Sequence, residues 1–185
     1  GAAGLDYETT PVYNLTVRVT DTGRVRANDT AVPLWVDGAV LVRLTNRNEA
    51  PACGVDGGAR FLWENATNRA LVGAPLGATD PEEAVLTYSI ASGNVDGVFG
   101  VDSATGQLLV VDASALNYEA RTAYTLHLTV RDSGVPEGIA NALTTPCVVA
   151  VTVGDVNEAP TLATAAFSVP ELSAVGRVVG TMAPR

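Results

Sequence analysis

An all-β chain built of tandem modules is predicted by three observations. The chain is self-similar at an interval of about 110 residues. Its apolar residues alternate with a period of two inside each copy. No stretch keeps a 3.6-residue apolar period for the length of a proper helix.

The self-similarity is carried by three motifs in the same order. LDYETTPVYNLTVRVTDTG pairs with LNYEARTAYTLHLTVRDSG, matching Leu5 with Leu116, Glu8 with Glu119, Tyr13 with Tyr124 and Asp21 with Asp132. NRNEAP (Asn46–Pro51) pairs with DVNEAP (Asp155–Pro160), and Glu64 with Val72-Gly73 pairs with Glu171 with Val179-Gly180. The division that follows is the second half of one repeat at 1–51, a complete repeat at 52–157 and the opening strands of a third at 158–185.

Tyr13, Leu15, Val17 and Val19 form the first alternating strand, with polar residues between them. GRVRANDTAVPLWVDG follows as a long exposed turn or hairpin. In the complete repeat, Val85–Ile90, Gln107–Val111, Tyr124–Val130 and Cys147–Val153 are strand candidates, separated by turn signals such as Ser92-Gly93-Asn94 and Thr105-Gly106. About seven short strands per hundred residues fit tandem immunoglobulin-like Greek-key β-sandwiches.

Composition narrows function. The chain has 185 residues, with 20 acidic side chains against 11 basic ones, all Arg, for a net charge of −9. Nucleic acid and anionic membrane surfaces are excluded as partners, because phosphate binding needs concentrated positive charge. Apolar residues at 47% and charged ones at 17% exclude a disordered chain. No run approaches the ~20 apolar residues of a membrane span. The first residues lack the features of a signal peptide, so any anchor or export signal is expected in segments outside this sequence.

The acids concentrate at segment ends. Asp6 and Glu8 stand just before a strand, Asn48-Glu49 precedes Pro51, Asp80-Pro81-Glu82 follows a strand and Asp132 closes another. Few have a basic neighbour, so they would repel one another if they converged. Ca²⁺ relieves such repulsion by taking six to eight oxygen ligands from flexible carboxylate and carbonyl sets.

These motifs, in this order, resemble the cadherin repeat. LDYE and LNYE are similar to that family's LDRE, VTDTG and VRDSG to its A-x-D-x-G, and NRNEAP and DVNEAP to its D-x-N-D-N-x-P linker. ATDPEE stands for its D-x-D, Glu64 and Glu171 for its x-E-x, and FGVDSATGQLLV for its F-x-I-D-x-x-T-G-x-I strand pair. The resemblance covers nearly the whole chain and implies calcium bound between successive repeats. At the first junction it implies Asp6 and Glu8, the side chains of Asn48 and Glu49, the carbonyls of Arg47 and Ala50, and then Asp80, Glu82 and Asp132, with the Asn94 carbonyl joining them. At the second it implies Glu64, Glu119, Asn157 and Glu158. Asn117 replaces the Asp of LDRE and removes one charge there, while Glu49, Glu158 and Glu82 replace shorter Asp ligands. Asn46 replaces the first linker Asp, a position not usually a direct ligand in the family.

In a sandwich, Cys53 opens the first strand and Cys147 the last, at the same end of the domain. A disulfide between them fits that geometry; the alternative is two buried thiols. Three Asn-x-Thr sequons begin at Asn14, Asn28 and Asn65, the last beside Glu64, where a glycan would crowd the joint. Sequons, a disulfide and calcium seams together place the chain outside the cytosol. His127, the single His, falls on a polar strand face rather than beside a nucleophile, and no zinc or phosphate-loop spacing occurs, so an enzyme is not expected. Trp35 and Trp63 read as packing or turn residues. The expected function is a calcium-stiffened extracellular segment of an adhesion protein. Its partners are cadherin-like repeats of the same or neighbouring chains, with no nucleic acid or small-molecule substrate. The rival reading is a structural spacer in an extracellular filament, coat or matrix glycoprotein with little calcium dependence.

Overall fold

The computed structural model describes residues 4–23, 32–54 and 59–182. Eight strands account for its regular structure, joined by turns and three single 3₁₀ turns. β1 (Val12–Thr20) and β2 (Trp35–Arg43) form an antiparallel hairpin in continuous register from Val12↔Arg43 to Thr20↔Trp35. The long insertion after Asp21 is therefore partly strand. Residues 24–31, with the Asn28 sequon, lie outside the described residues.

The remaining strands build a sandwich. β3 (Arg60–Trp63), β4 (Thr87–Ser92), β7 (Ala123–Arg131) and β8 (Thr144–Gly154) form one sheet in the order β3-β8-β7-β4. β3 runs parallel to β8, and the other pairs are antiparallel. β5 (Phe99–Val101) and β6 (Leu108–Val110) form the opposing layer, extended by a bridge between Leu71 and Leu109.

Period-two patterning explains which faces meet. Tyr124, Leu126, Leu128 and Val130 of β7 are buried while Ala123, Thr125 and His127 are exposed. On β8 the inward set is Cys147, Val149, Val151 and Val153. They enclose Val72, Val98, Leu108 and Val110, and Phe99 meets the Tyr124 ring edge-on at 4.9 Å. Each fully buried Leu or Val contributes roughly 1.5–3 kcal/mol relative to exposure.

The expected disulfide is present. Cys53 and Cys147 are bonded across 94 residues, with their Cα atoms 6.0 Å apart. Cys147 is the fourth residue of β8, and Cys53 follows the Ala52–Thr79 bridge.

The repeated motifs fold alike. Asp6 Oδ1 accepts the Thr9 amide at 2.9 Å and Asn117 Oδ1 the Ala120 amide at 2.7 Å. Each turn is closed by a backbone bond, Thr10 to Asp6 and Arg121 to Asn117. Asp21 Oδ1 accepts the Gly23 and Leu34 amides, and Asp132 Oδ1 those of Gly134 and Leu143. The self-similarity is thus one of hydrogen-bonded geometry as well as letters.

Two expected strand faces depart from this. Leu15 and Val17 on β1 remain 47% and 46% exposed, because the β1–β2 hairpin has no opposing layer among the described residues. Between 158 and 182 no strand forms: a strand needs partners for its backbone groups, and none lies beside this segment. Trp35 is a hairpin residue, with the Arg18 guanidinium 4.0 Å from its ring centre and held bidentately by Asp37.

Leu126→Ala should cost about 2–5 kcal/mol of unfolding free energy in urea titrations. Leu15→Ala, with nearly half its surface already wet, should cost well under half as much. Replacing Cys53 and Cys147 together by Ser should remove about 2–5 kcal/mol, read as a lower thermal midpoint that reductant no longer changes.

Candidate metal centres at the two ends of the sandwich

Strand β7 sets the positions of the acidic groups. Its nine residues span ~30 Å. Asp132 follows its last residue, and Glu119 precedes its first by four positions. Two groups of acids therefore occupy opposite ends of one sandwich.

At the Asp132 end, the carboxylates of Glu8, Glu49 and Glu82 lie within 4.8 Å of one another. Asp6 lines the same depression as Glu8, Arg47 and Glu49. Asp80 lies at the base of the group, its Oδ1 accepting the Glu82 amide at 3.1 Å and the Ala84 amide at 3.0 Å. Glu82 Oε2 accepts the Glu49 amide at 3.1 Å. Asn48 donates through Nδ2 to both oxygens of Asp132, at 3.3 Å each, and to the Asn141 carbonyl at 3.0 Å. The Arg47 and Ala50 carbonyls accept no hydrogen bond among the described residues.

The structure does not gather Asn94 with these residues. β4 pairs Thr87 with Arg131 and Ser92 with His127, so the strand carries the chain ~17 Å away before Asn94 is reached. There its carbonyl accepts the Gly97 amide, and its side chain closes a loop with Phe99. The nearest sequence signal, an Asn after a strand, says nothing about which end of that strand it follows.

Four oxygens at this end are buried without a hydrogen-bond partner: Asn46 Oδ1, Asn48 Oδ1, Asp80 Oδ2 and Glu82 Oε1. An orphaned buried acceptor is costly, and a cation could satisfy these four together. A hard divalent ion fits this all-oxygen donor set. Burial raises the Glu82 pKa; the bond from the Glu49 amide opposes that, and the charges of Glu8 and Asp80 raise it further. Asp6 is lowered, chiefly by the Thr9 amide and then by the Thr9 hydroxyl.

At the other end, Glu64, Glu119 and Asp155 bring carboxylate oxygens within 4.8 Å. Glu64 is buried, accepting the Tyr118 amide at 2.7 Å and the Val156 amide at 2.6 Å. Asn157 and Glu158 line the same depression as Asn117, Glu119 and Asp155. Asp155 is the residue that sequence reasoning missed. Glu137 was missed too: it pairs with Arg47 at 2.8 Å, a contact across ninety positions without local sequence trace.

Comparison with known proteins gives the class. Residues 63–154 match the family model described as Cadherin domain. Cadherin-1 of Gallus gallus is 33% identical over 181 residues, covering 94% of this chain and 18% of that protein. Protocadherin Fat 4 of Homo sapiens is 33% identical over 137 residues, covering 71% of this chain and 2% of its own length. The crystal structure of mouse Cadherin-23 EC22-24 superposes with a TM-score of 0.66 at 24% identity, covering 98% of this chain and 56% of that one. The chain is a cadherin-repeat protein with the immunoglobulin-like sandwich of cadherin extracellular domains. It spans a small fraction of its curated relatives' length.

The raised Glu82 pKa fixes the sign of an acid response. Without cation, its contribution to stability is fully present below the unfolded value near 4.5 and is lost as pH rises through the higher folded value. Glu82→Gln should therefore flatten thermal midpoint against pH between pH 4 and 7 in chelator, and raise the midpoint at pH 7.

Proposed function

We propose that this chain is a calcium-stiffened segment of an extracellular adhesion protein, its repeats joined into a rod by cations at their seams. The observation that carries this is the set of four buried oxygens without donors beside three converging carboxylates. The proposed division places 1–51, 52–157 and 158–185 in three successive repeats, so each acid group falls at a seam.

At the first seam, Asp6 and Glu8 come from one repeat, Asn48 and Glu49 from the linker, and Asp80, Glu82 and Asp132 from the next. Bound Ca²⁺ would supply positive charge that removes their repulsion and fixes the angle between repeats. The second seam would draw on Glu64, Glu119, Asp155, Asn157 and Glu158. There Asn117 keeps the turn that Asp6 makes but carries no charge. Partners are other cadherin-like repeats, within the chain or on neighbouring molecules, and the segment works outside the cell without catalysis. No described helix is long and apolar enough to cross a membrane.

One observation favours a spacer with weaker calcium dependence. Arg47–Glu137 and the Asn48 bonds already brace the first linker to the following repeat without an ion.

Calcium titration should raise the thermal midpoint with a half-effect at ~10⁻⁴–10⁻³ M, adding about 2.7 kcal/mol at a hundredfold excess over Kd. Asp80→Asn with Glu82→Gln should abolish most of that gain, and Glu119→Gln should leave the first seam intact. Scattering profiles that are identical with calcium and with chelator would overturn the proposal.

A further inference from the structure

We propose that Asn65 is an N-glycosylation site whose first sugar stacks on Trp63, so that the glycan becomes a packed part of the sandwich's outer face. Asn65-Ala66-Thr67 is a sequon, and Asn65 is exposed. The Ala66 amide donates to the Trp63 carbonyl at 3.0 Å, closing a four-residue turn with Trp63 first and Asn65 third. Such a turn reverses the chain within four residues, which keeps Asn65 close along the chain to Trp63.

The platform is preformed. Phe61 and Trp63 both point outward from β3, 52% and 54% exposed, with ring centres 4.9 Å apart edge to face. Both rings lie over Gly154 of the neighbouring strand, where an added Cβ would collide with Phe61 and come within 2.7 Å of Trp63. Gly154 lets the rings settle on the sheet while each keeps about half of its surface exposed. β3 is an edge strand, so the two adjacent rings form an exposed apolar patch at the edge of the sheet. The occupant with the shortest tether is the pyranose on Asn65: its apolar C–H face carries the partial positive charge that the electron-rich ring face attracts.

The modification balances as a transfer from a polyprenyl-diphosphate-linked oligosaccharide. The Asn65 amide nitrogen bonds to C1 of the terminal N-acetylglucosamine and loses one proton. The C1–O bond to the diphosphate breaks, and the polyprenyl diphosphate leaves. Glu64 is buried against the Tyr118 and Val156 amides while Asn65 is exposed, so the carboxylate and the sugar's attachment point lie on different sides of the turn.

The test is expression of the whole chain in a secreting eukaryotic cell, followed by glycopeptide mass spectrometry and trimming to a single sugar. Asn65 should be occupied, and the protons of that sugar should show upfield ring-current shifts in the native protein. Asn65→Gln should lower the thermal midpoint by about 2–6 °C. In a Trp63→Thr background the same substitution should cost less than half of that, and the upfield shifts should vanish. An unmodified Asn65, sugar protons without upfield shift, or equal losses in both backgrounds would overturn the inference. Calcium midpoints should not change with Asn65→Gln, so failure of the cation reading leaves this result separate.

Discussion

Backbone amides hold several acids of this protein in place, and the two acid groups of the sandwich are organised around that anchoring. Asp132 is held by Gly134 and Leu143, Asp80 by Glu82 and Ala84, and Glu64 by Tyr118 and Val156. Each bond spends some of a carboxylate's acceptor capacity on fixing its position. Carboxylates tethered this way cannot swing apart to relieve repulsion, as free surface acids would. Beside the first linker, Glu82 is both partly desolvated and crowded by Glu8 and Asp80.

The core gives this anchoring its reach. β7 runs between the two acid groups with Leu126 and Leu128 sealed against β8 and the opposing layer. Close-packed interiors transmit displacement rather than absorbing it. A rigid strand with acid groups at both ends therefore fixes the spacing of those two groups. The Cys53–Cys147 bond ties the entry of the sandwich to its last strand near the Asp132 end, where Leu128 pairs with Cys147.

The same turn, with different charge, stands beside each of the two acid groups. Asp6 and Asn117 make equivalent bonds, so replacing Asp by Asn conserved geometry while deleting a carboxylate. At the first linker, Arg47 and Asn48 add direct contacts to Glu137, Asp132 and Asn141. A joint braced by protein contacts and a joint closed by a cation are compatible, since the former sets approach and the latter removes repulsion.

The sequence by itself determined the sandwich, the repeat spacing, the inward faces of β7 and β8 and the acidic motifs, because period-two alternation and turn chemistry are local. Local rules also placed Glu8, Glu49 and Glu82 in motifs that the fold then gathered. Tertiary structure alone decided which end of β4 Asn94 would occupy, that Asp155 would join Glu64 and Glu119, and that Glu137 would reach Arg47. It also decided that Leu15 and Val17 stay wet, since a hydrophobic strand face is buried only when a second layer is there to meet it. The physical reason is common to all four: these outcomes depend on strand direction, pairing partner and layer contact, which link residues tens of positions apart and leave no mark on neighbouring letters.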